Sequence, residues 1–283
     1  MHIALQNAGL VRRFCMVLLS GLLAGGDARG ETTPAPARFV LTFDDGPSLW
    51  REQPTDRILA QLADNPVQPG IKALFFVQTG HQDHGAHPDG QALMQAACAA
   101  GHRLAVHTAT AAGHVPHPRL APHELAASLI AGRAAIAARC GAAAPLVRPP
   151  DWAFNAQTQA VYAAQGLGML LTDVNARDGK IYGWNISLRR RGHLRSELAR
   201  VLAAAQSGRL QPVAGVLPVI VTFHDTNTFT ARTMREYLQI LVEEARTVGL
   251  PLADPPFYAE GDALVQAAQQ RATAGVYART TWP

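Results

Sequence analysis

From residue 38 onward the chain keeps switching between two patterns. Short apolar, β-branched runs alternate with longer stretches in which apolar positions recur at helical spacing. Phe39–Phe43, Ala73–Val77, Leu104–His107, Leu146–Val147, Met169–Asp173 and Pro218–Phe223 have the composition of buried strands. The intervening stretches Asp56–Ala63, Gln91–Ala100, Glu124–Arg139, Gln157–Gln165, His193–Ala205 and Thr233–Val248 read as helices, two of them closed by Gly101 and Gly166. Such alternation predicts an α/β fold built on a parallel sheet or barrel. The Ala/Gln-rich stretch after Tyr258 reads as one more helix, without a legible function.

The polar residues share an address. The first run delivers two adjacent carboxylates, Asp44 and Asp45, and stops at Gly46-Pro47, a turn pair that cannot continue a strand. Two carboxylates at the end of a buried strand repel each other and resist desolvation unless a metal ion or an arginine neutralises them. His107, Arg148, Asp173 and His224-Asp225 likewise fall at or just beyond strand ends. In α/β barrels that edge carries the active site.

Composition narrows the partners. The 283 residues, 48% of them hydrophobic, suffice for one sizeable domain and its core. The net charge of +4 comes from scattered basic residues, with no aromatic-interleaved patch or nucleic-acid motif, so nucleic acid is not an expected partner. The one dense basic run, Leu188–Arg195, reads as a solvated loop entering a helix, with a grip on an anionic glycan as the alternative.

At the N-terminus, Arg12 and Arg13 precede the apolar run Phe14–Ala24 and the small-x-small sequence Gly26-Asp27-Ala28. This is the pattern of an export leader, too short to span a bilayer comfortably, so no stable membrane insertion is expected once it is removed. We therefore expect a signal peptide over 1–28, a linker over 29–37 and a periplasmic or secreted mature chain. Cys15 leaves with the leader. Cys98 and Cys140 remain, either as one disulfide or as two buried thiols.

Thr42-Phe-Asp-Asp-Gly-Pro47, His107-Thr108, Arg148-Pro-Pro150, Asp173 and Thr222-Phe-His-Asp225 stand in the order of the five motifs of the polysaccharide deacetylase family (NodB homology, carbohydrate esterase family 4), which the chain resembles over residues 38–258. The resemblance implies a single domain folded as an irregular (β/α) barrel of about seven strands, followed by a helical tail over 259–283. It implies metal-dependent hydrolysis of acetyl groups on a polysaccharide or oligosaccharide. By position, Asp44 corresponds to the general base and His224 to the general acid. Arg148 corresponds to the partner of the base, and Asp173 to the partner of the catalytic histidine. Asp45 and His107 correspond to ligands of one divalent ion, zinc by donor type, with cobalt, nickel or manganese as alternatives.

Four positions depart from the family pattern. The second motif, His-Ser/Thr-x-x-His, has Ala111 where its second histidine belongs; His117, which opens a His-Pro-x-Leu run, is the expected third ligand, with His114 as the alternative. Asp151-Trp152 replaces the usual Tyr-Gly, with a backbone N–H there still able to face an oxyanion. The Asp-x-x-Asp-Trp motif reduces to Asp173, with Asp178 and Trp184 downstream as substitutes. Thr222 stands where an apolar residue is usual. Trp152, Trp184 and Thr222 are thus the expected substrate-binding positions. Trp50, just past the first motif, is either a sugar-stacking platform or a core or rim tryptophan.

The expected function is therefore an exported, metal-dependent deacetylase of a peptidoglycan, exopolysaccharide or chitin-like polymer. One alternative is a family member that hydrolyses a non-peptide C–N bond of a small substrate. Another is a non-catalytic glycan-binding relic. A binder would have no use for a base and an acid together.

Overall fold

The computed structural model describes residues 34–178 and 189–273, so the expected leader 1–28 and Trp184 lie outside the described residues. Strand β1 (Ala37–Asp44) is an interior strand of the sheet. It pairs in parallel with β2 (Ala73–Gln78) on one side and β7 (Leu217–His224) on the other. Outward from β2 come β3 (Arg103–Thr108), β4 (Leu146–Val147) and β5 (Gly168–Met169), and β6 (Val174–Asn175) flanks β7. All these pairings are parallel, and the sheet curls into a half-barrel in the order β5-β4-β3-β2-β1-β7-β6.

The expected strands are present except Met169–Asp173. That run leaves β5 at Met169 and reaches β6 only at Val174, because Leu170 and Asp173 bond to different neighbours, Val147 and Ile220. One strand was not expected. Leu252–Phe257 (β8), with two prolines, pairs with β1 only through Ala37–Leu252 and Phe39–Phe257. Proline lacks the N–H a full ladder needs, so the pairing is sparse.

The two faces of β1 sort the core. Phe39, Leu41 and Phe43 face the helix layer formed by α1 (Pro54–Ala63), α2 (Pro88–Ala99), α3 (Pro122–Cys140), α4 (Ala156–Ala164), α5 (Arg190–Gln206) and α6 (Thr228–Thr247). Phe43 stacks between Phe75 and Phe223 at 5.0 and 5.8 Å. The opposite face, with Val40, Leu74, Phe76 and Ile220, forms a second cluster with Leu264, Ala267 and Ala268 of α7 (Gly261–Thr273). The C-terminal helix thus fills the hollow of the half-barrel.

That helix also explains Asp173. Its Oδ1 lies 2.6 Å from the buried Arg271 of α7, and its Oδ2 accepts the Ile220 N–H at 2.9 Å. Level with Ile220, it lies four residues below His224, about 13 Å along the strand. Asp173 is therefore a staple for α7 and not the expected partner of His224.

The basic run is also reassigned. Arg190 pairs with Glu236, Arg191 with Glu243 and Glu244, and Arg195 with Glu244, all on α6. These arginines are spent on docking α5 against α6.

Cys98, at the end of α2, and Cys140, at the end of α3, form a disulfide across 42 residues. The closed segment carries β3 and the loop after it. Restraining a loop of this length in the unfolded chain contributes about 2–4 kcal/mol. Reduction, or a Cys98→Ser/Cys140→Ser double variant, should lower the urea unfolding midpoint accordingly; an unchanged midpoint would remove the bridge from the stability of the fold.

Candidate active site

The site stands at the C-terminal edge of the sheet. Asp44 and His224 are register partners on adjacent parallel strands, as are Thr42 and Thr222 below them. Neighbouring strands run about 4.8 Å apart, so base and acid candidates are set side by side by the ladder itself.

Asp44 is buried and accepts from Arg148 Nη1 at 2.8 Å. Every nitrogen of the fully buried guanidinium is occupied: Nη1 also reaches Thr42 Oγ1 at 2.7 Å, Nε donates to the Leu170 carbonyl and Nη2 to the Leu171 carbonyl. Phe76 lies 4.2 Å beneath the cation. A buried charge so completely satisfied is tolerated in a core and fixes its partner's orientation. Thr42 spends its single proton on the Val221 carbonyl at 3.0 Å, so the Thr222 hydroxyl, 3.0 Å away, donates to Thr42. Thr222 is fully buried in this hub. It supports the Arg148–Asp44 pair from below and does not line a substrate surface.

Strand alternation alone would send Asp45 to the face opposite Asp44. Its backbone instead turns left-handed, at φ 78°, which swings the carboxylate back over the site. Such a conformation costs a non-glycine residue on the order of 1–3 kcal/mol and persists only where the surroundings enforce it. They do. Gln78 Nε2 donates to the Asp45 carbonyl and His84 Nδ1 to the Pro47 carbonyl, each at 2.8 Å, and the Gln78 N–H bonds Gly46 O. Below the turn, Asp225 lies so close that a Cβ on Gly46 would meet its Oδ2 at 1.9 Å, so only glycine fits. Asp225 is itself anchored by Thr55 Oγ1 at 2.9 Å, and burial raises its carboxyl to about 7.

Asp45 Oδ1 faces two imidazoles, His107 Nε2 and His114 Nε2, each at 3.2 Å. These three are the group among the described residues whose donor atoms converge as metal ligands would. The expected third ligand, His117, is elsewhere. It opens a short 3-10 turn, is fully buried, and hydrogen-bonds Tyr162 through Nδ1 at 2.6 Å. Burial, with His107 nearby, lowers it to about 3 and keeps it neutral. The enlarged loop thus brings His114, not His117, to Asp45; the His-Pro-x-Leu run serves packing.

The residues fit a cation. His107 Nδ1 lies 2.7 Å from the Arg148 carbonyl, which can only accept, so Nδ1 carries the proton and Nε2 of the neutral ring presents a lone pair. That lone pair faces Asp45 Oδ1, another acceptor, and both buried atoms lack a hydrogen bond. Two acceptors held face to face are a favourable arrangement only around a positive charge.

Across the site, His224 Nδ1 bonds Asp178 Oδ1 at 2.8 Å. The other carboxylate oxygen accepts the His224 N–H and the Thr230 hydroxyl, at 2.8 and 2.7 Å. Burial would lower the imidazole, yet the Asp178 charge and hydrogen bond override it and push His224 up to about 10. Asp178 thus takes the role expected of Asp173. The β6–β7 register contains the signal: Asn175 is level with Thr222, and three further residues carry the chain past His224. At the rim, Trp152 lies partly exposed with its ring 5.1 Å from the Arg148 guanidinium, and Trp50 is 60% exposed, which excludes a core role for Trp50.

Against known proteins, the family model for polysaccharide deacetylases matches residues 31–170. No curated protein matches. Among solved structures, a family 4 carbohydrate esterase from Streptomyces lividans, in complex with acetate, is 25% identical with a TM-score of 0.54, over 75% of this chain and 91% of that one. A chitin deacetylase from Colletotrichum lindemuthianum is similar in fold at 19% identity and a TM-score of 0.54, over 78% and 88% of the two chains. A family 4 acetyl xylan esterase from Clostridium thermocellum, in complex with a cobalt ion, is so at 18% and 0.52, over 80% and 95%. With the motif order, the half-barrel and the clustered aspartates and histidines in agreement, the chain belongs to the polysaccharide deacetylase family, carbohydrate esterase family 4.

Proposed function

We propose that this protein is an exported, metal-dependent hydrolase that removes acetyl groups from an N- or O-acetylated polysaccharide. The observation that carries the reading is the pairing of Asp44 with His224 across one rung of the ladder, beside the converging donors of Asp45, His107 and His114.

One carboxylate and two imidazoles suit a divalent ion such as zinc, with cobalt, nickel or manganese as alternatives. A bound ion would supply Lewis acidity to a water and to the acetyl carbonyl. The protein's own groups supply the proton transfers. Asp44, oriented by Arg148 at 2.8 Å, takes a proton from the attacking water. His224, held protonated by Asp178, delivers its Nε2 proton to the departing amine or alcohol. The side chain of Asp151 differs from the family's tyrosine, but its own backbone N–H can still serve an oxyanion, while those of Trp152 and Ala153 are bonded to the Pro149 and Pro150 carbonyls.

The exposed Trp50 favours a sugar polymer over a small C–N substrate, since an indole face suits a pyranose ring. The Cys98–Cys140 bridge favours an oxidising compartment, in keeping with the leader-like residues 1–28. No described helix is long and apolar enough to cross a membrane.

The test is the metal content of the purified chain beside acetate release from N-acetylated chito-oligosaccharides and from O-acetylated xylan. We expect one divalent ion per chain and acetate from at least one substrate. A chain that neither retains nor takes up a divalent ion would overturn the catalytic reading in favour of a glycan-binding relic.

A further inference from the structure

Two departures from the family pattern meet in space. His114 replaces the histidine missing at position 111, and Asp151 replaces the tyrosine that usually follows Arg-Pro-Pro. His114 points Nε2 at Asp45 and turns Nδ1 toward Asp151 Oδ1, 3.6 Å away. His107 has the same division of labour, with Nε2 toward Asp45 and Nδ1–H on the Arg148 carbonyl. Both imidazoles therefore face the shared carboxylate with one nitrogen and an acceptor with the other.

The backbone at Asp151 is built for this. Residues 151 and 152 have successive left-handed conformations, with φ 55° and 57°. Aspartate tolerates that region better than most residues, and the turn directs its carboxylate over the loop that carries His114.

The geometry points to Asp151 as the positioning partner of the relocated ligand. Its carboxylate selects the Nδ1–H tautomer of His114, orients the ring and makes Nε2 a better donor to the cation. A carboxylate–histidine–cation chain of this kind substitutes for the support that a ligand on the usual short loop would draw from the scaffold. The two departures are then one adaptation: the ligand moved to a longer loop, and an acid replaced the tyrosine to hold it. The inference rests on the reading that a cation occupies the Asp45–His107–His114 cluster.

The experiment measures cobalt(II) affinity of the metal-free chain by competition with a chromophoric chelator, and records the visible spectrum of the loaded protein. Asp151→Gly removes the carboxylate while leaving the left-handed turn unstrained. Asp151→Asn keeps both a neutral acceptor and the tolerance of positive φ. We expect Asp151→Gly to bind cobalt about 10–100-fold more weakly, the usual cost of losing an outer partner, with an altered absorption band. Asp151→Asn should recover part of the loss. In a His114→Ala background, Asp151→Gly should have no further effect, since the two act through one contact. Wild-type affinity and spectrum in Asp151→Gly, with affinity lost in His114→Ala, would overturn this inference and leave the metal centre standing. Failure of the wild-type chain to bind cobalt would overturn both.

Discussion

Replacing His224 by asparagine should lower kcat for acetate release by about 10²–10⁴-fold, the usual contribution of a positioned acid. The substituted amide would retain a polar side chain near the site but have no proton to lose to a departing amine. The Asp178→Asn variant separates protonation from presence. With Asp178 ionised, His224 is raised from 6.5 to about 10, so the acid form persists across neutral pH and activity fades only as pH rises toward that value. A cation at Asp45 repels the imidazolium and brings the alkaline limb below 10. Without the Asp178 charge and hydrogen bond, burial opposes the charged ring with only Asp45 and Asp44 left to support it, and its pKa falls. The alkaline limb of kcat should then move to lower pH. An unmoved limb would assign the acid to another group. The same linkage acts on stability with a definite sign. Because the folded pKa exceeds the unfolded one, the His224–Asp178 pair stabilises fully below pH 6.5, and that contribution disappears as pH climbs through the folded value.

Where the site could be read in the sequence depended on how locally each residue is fixed. Asp44, Asp45, His107, Arg148 and His224 are positioned by strand ends, and an apolar run that stops in a charge announces itself. The partner of His224 is not fixed that way. Choosing between Asp173 and Asp178 needs the β6–β7 register and the buried Arg271, which lies outside the motif-bearing region altogether. The third histidine was ambiguous for another reason. The His-Pro-x-Leu spelling at His117 is satisfied by a 3-10 turn in the core, whereas His114 is placed by the course of a loop that has no periodic signal. Thr222 was misplaced because its neighbour Thr42 converts a surface-lining position into a buried hydrogen-bond hub. β8 was hidden by its prolines.

The two candidate third histidines should part sharply on substitution. His114→Ala should lose the cation and with it acetate release, because one of three converging donors is gone; the loss in affinity should exceed the roughly 10–100-fold cost of an outer partner. His117→Ala should keep the cation, since its ring is turned to Tyr162 and its removal leaves Asp45, His107 and His114 in place. Its cost falls on the fold instead. The buried Tyr162 hydroxyl would lose its bond to the imidazole, worth about 1 kcal/mol, and a cavity would open between the 3-10 turn and α4. Thermal unfolding with and without the ion reads both effects at once. A cation present at about 100 times its Kd stabilises the native state by about 2.7 kcal/mol, or about 5–10 °C in a domain of this size. Wild type and His117→Ala should both show that increment, the latter from a lower starting Tm, and His114→Ala should show none. The reverse pattern, an increment kept in His114→Ala and lost in His117→Ala, would mean that the loop rearranges on binding so that the buried histidine replaces the exposed one at Asp45.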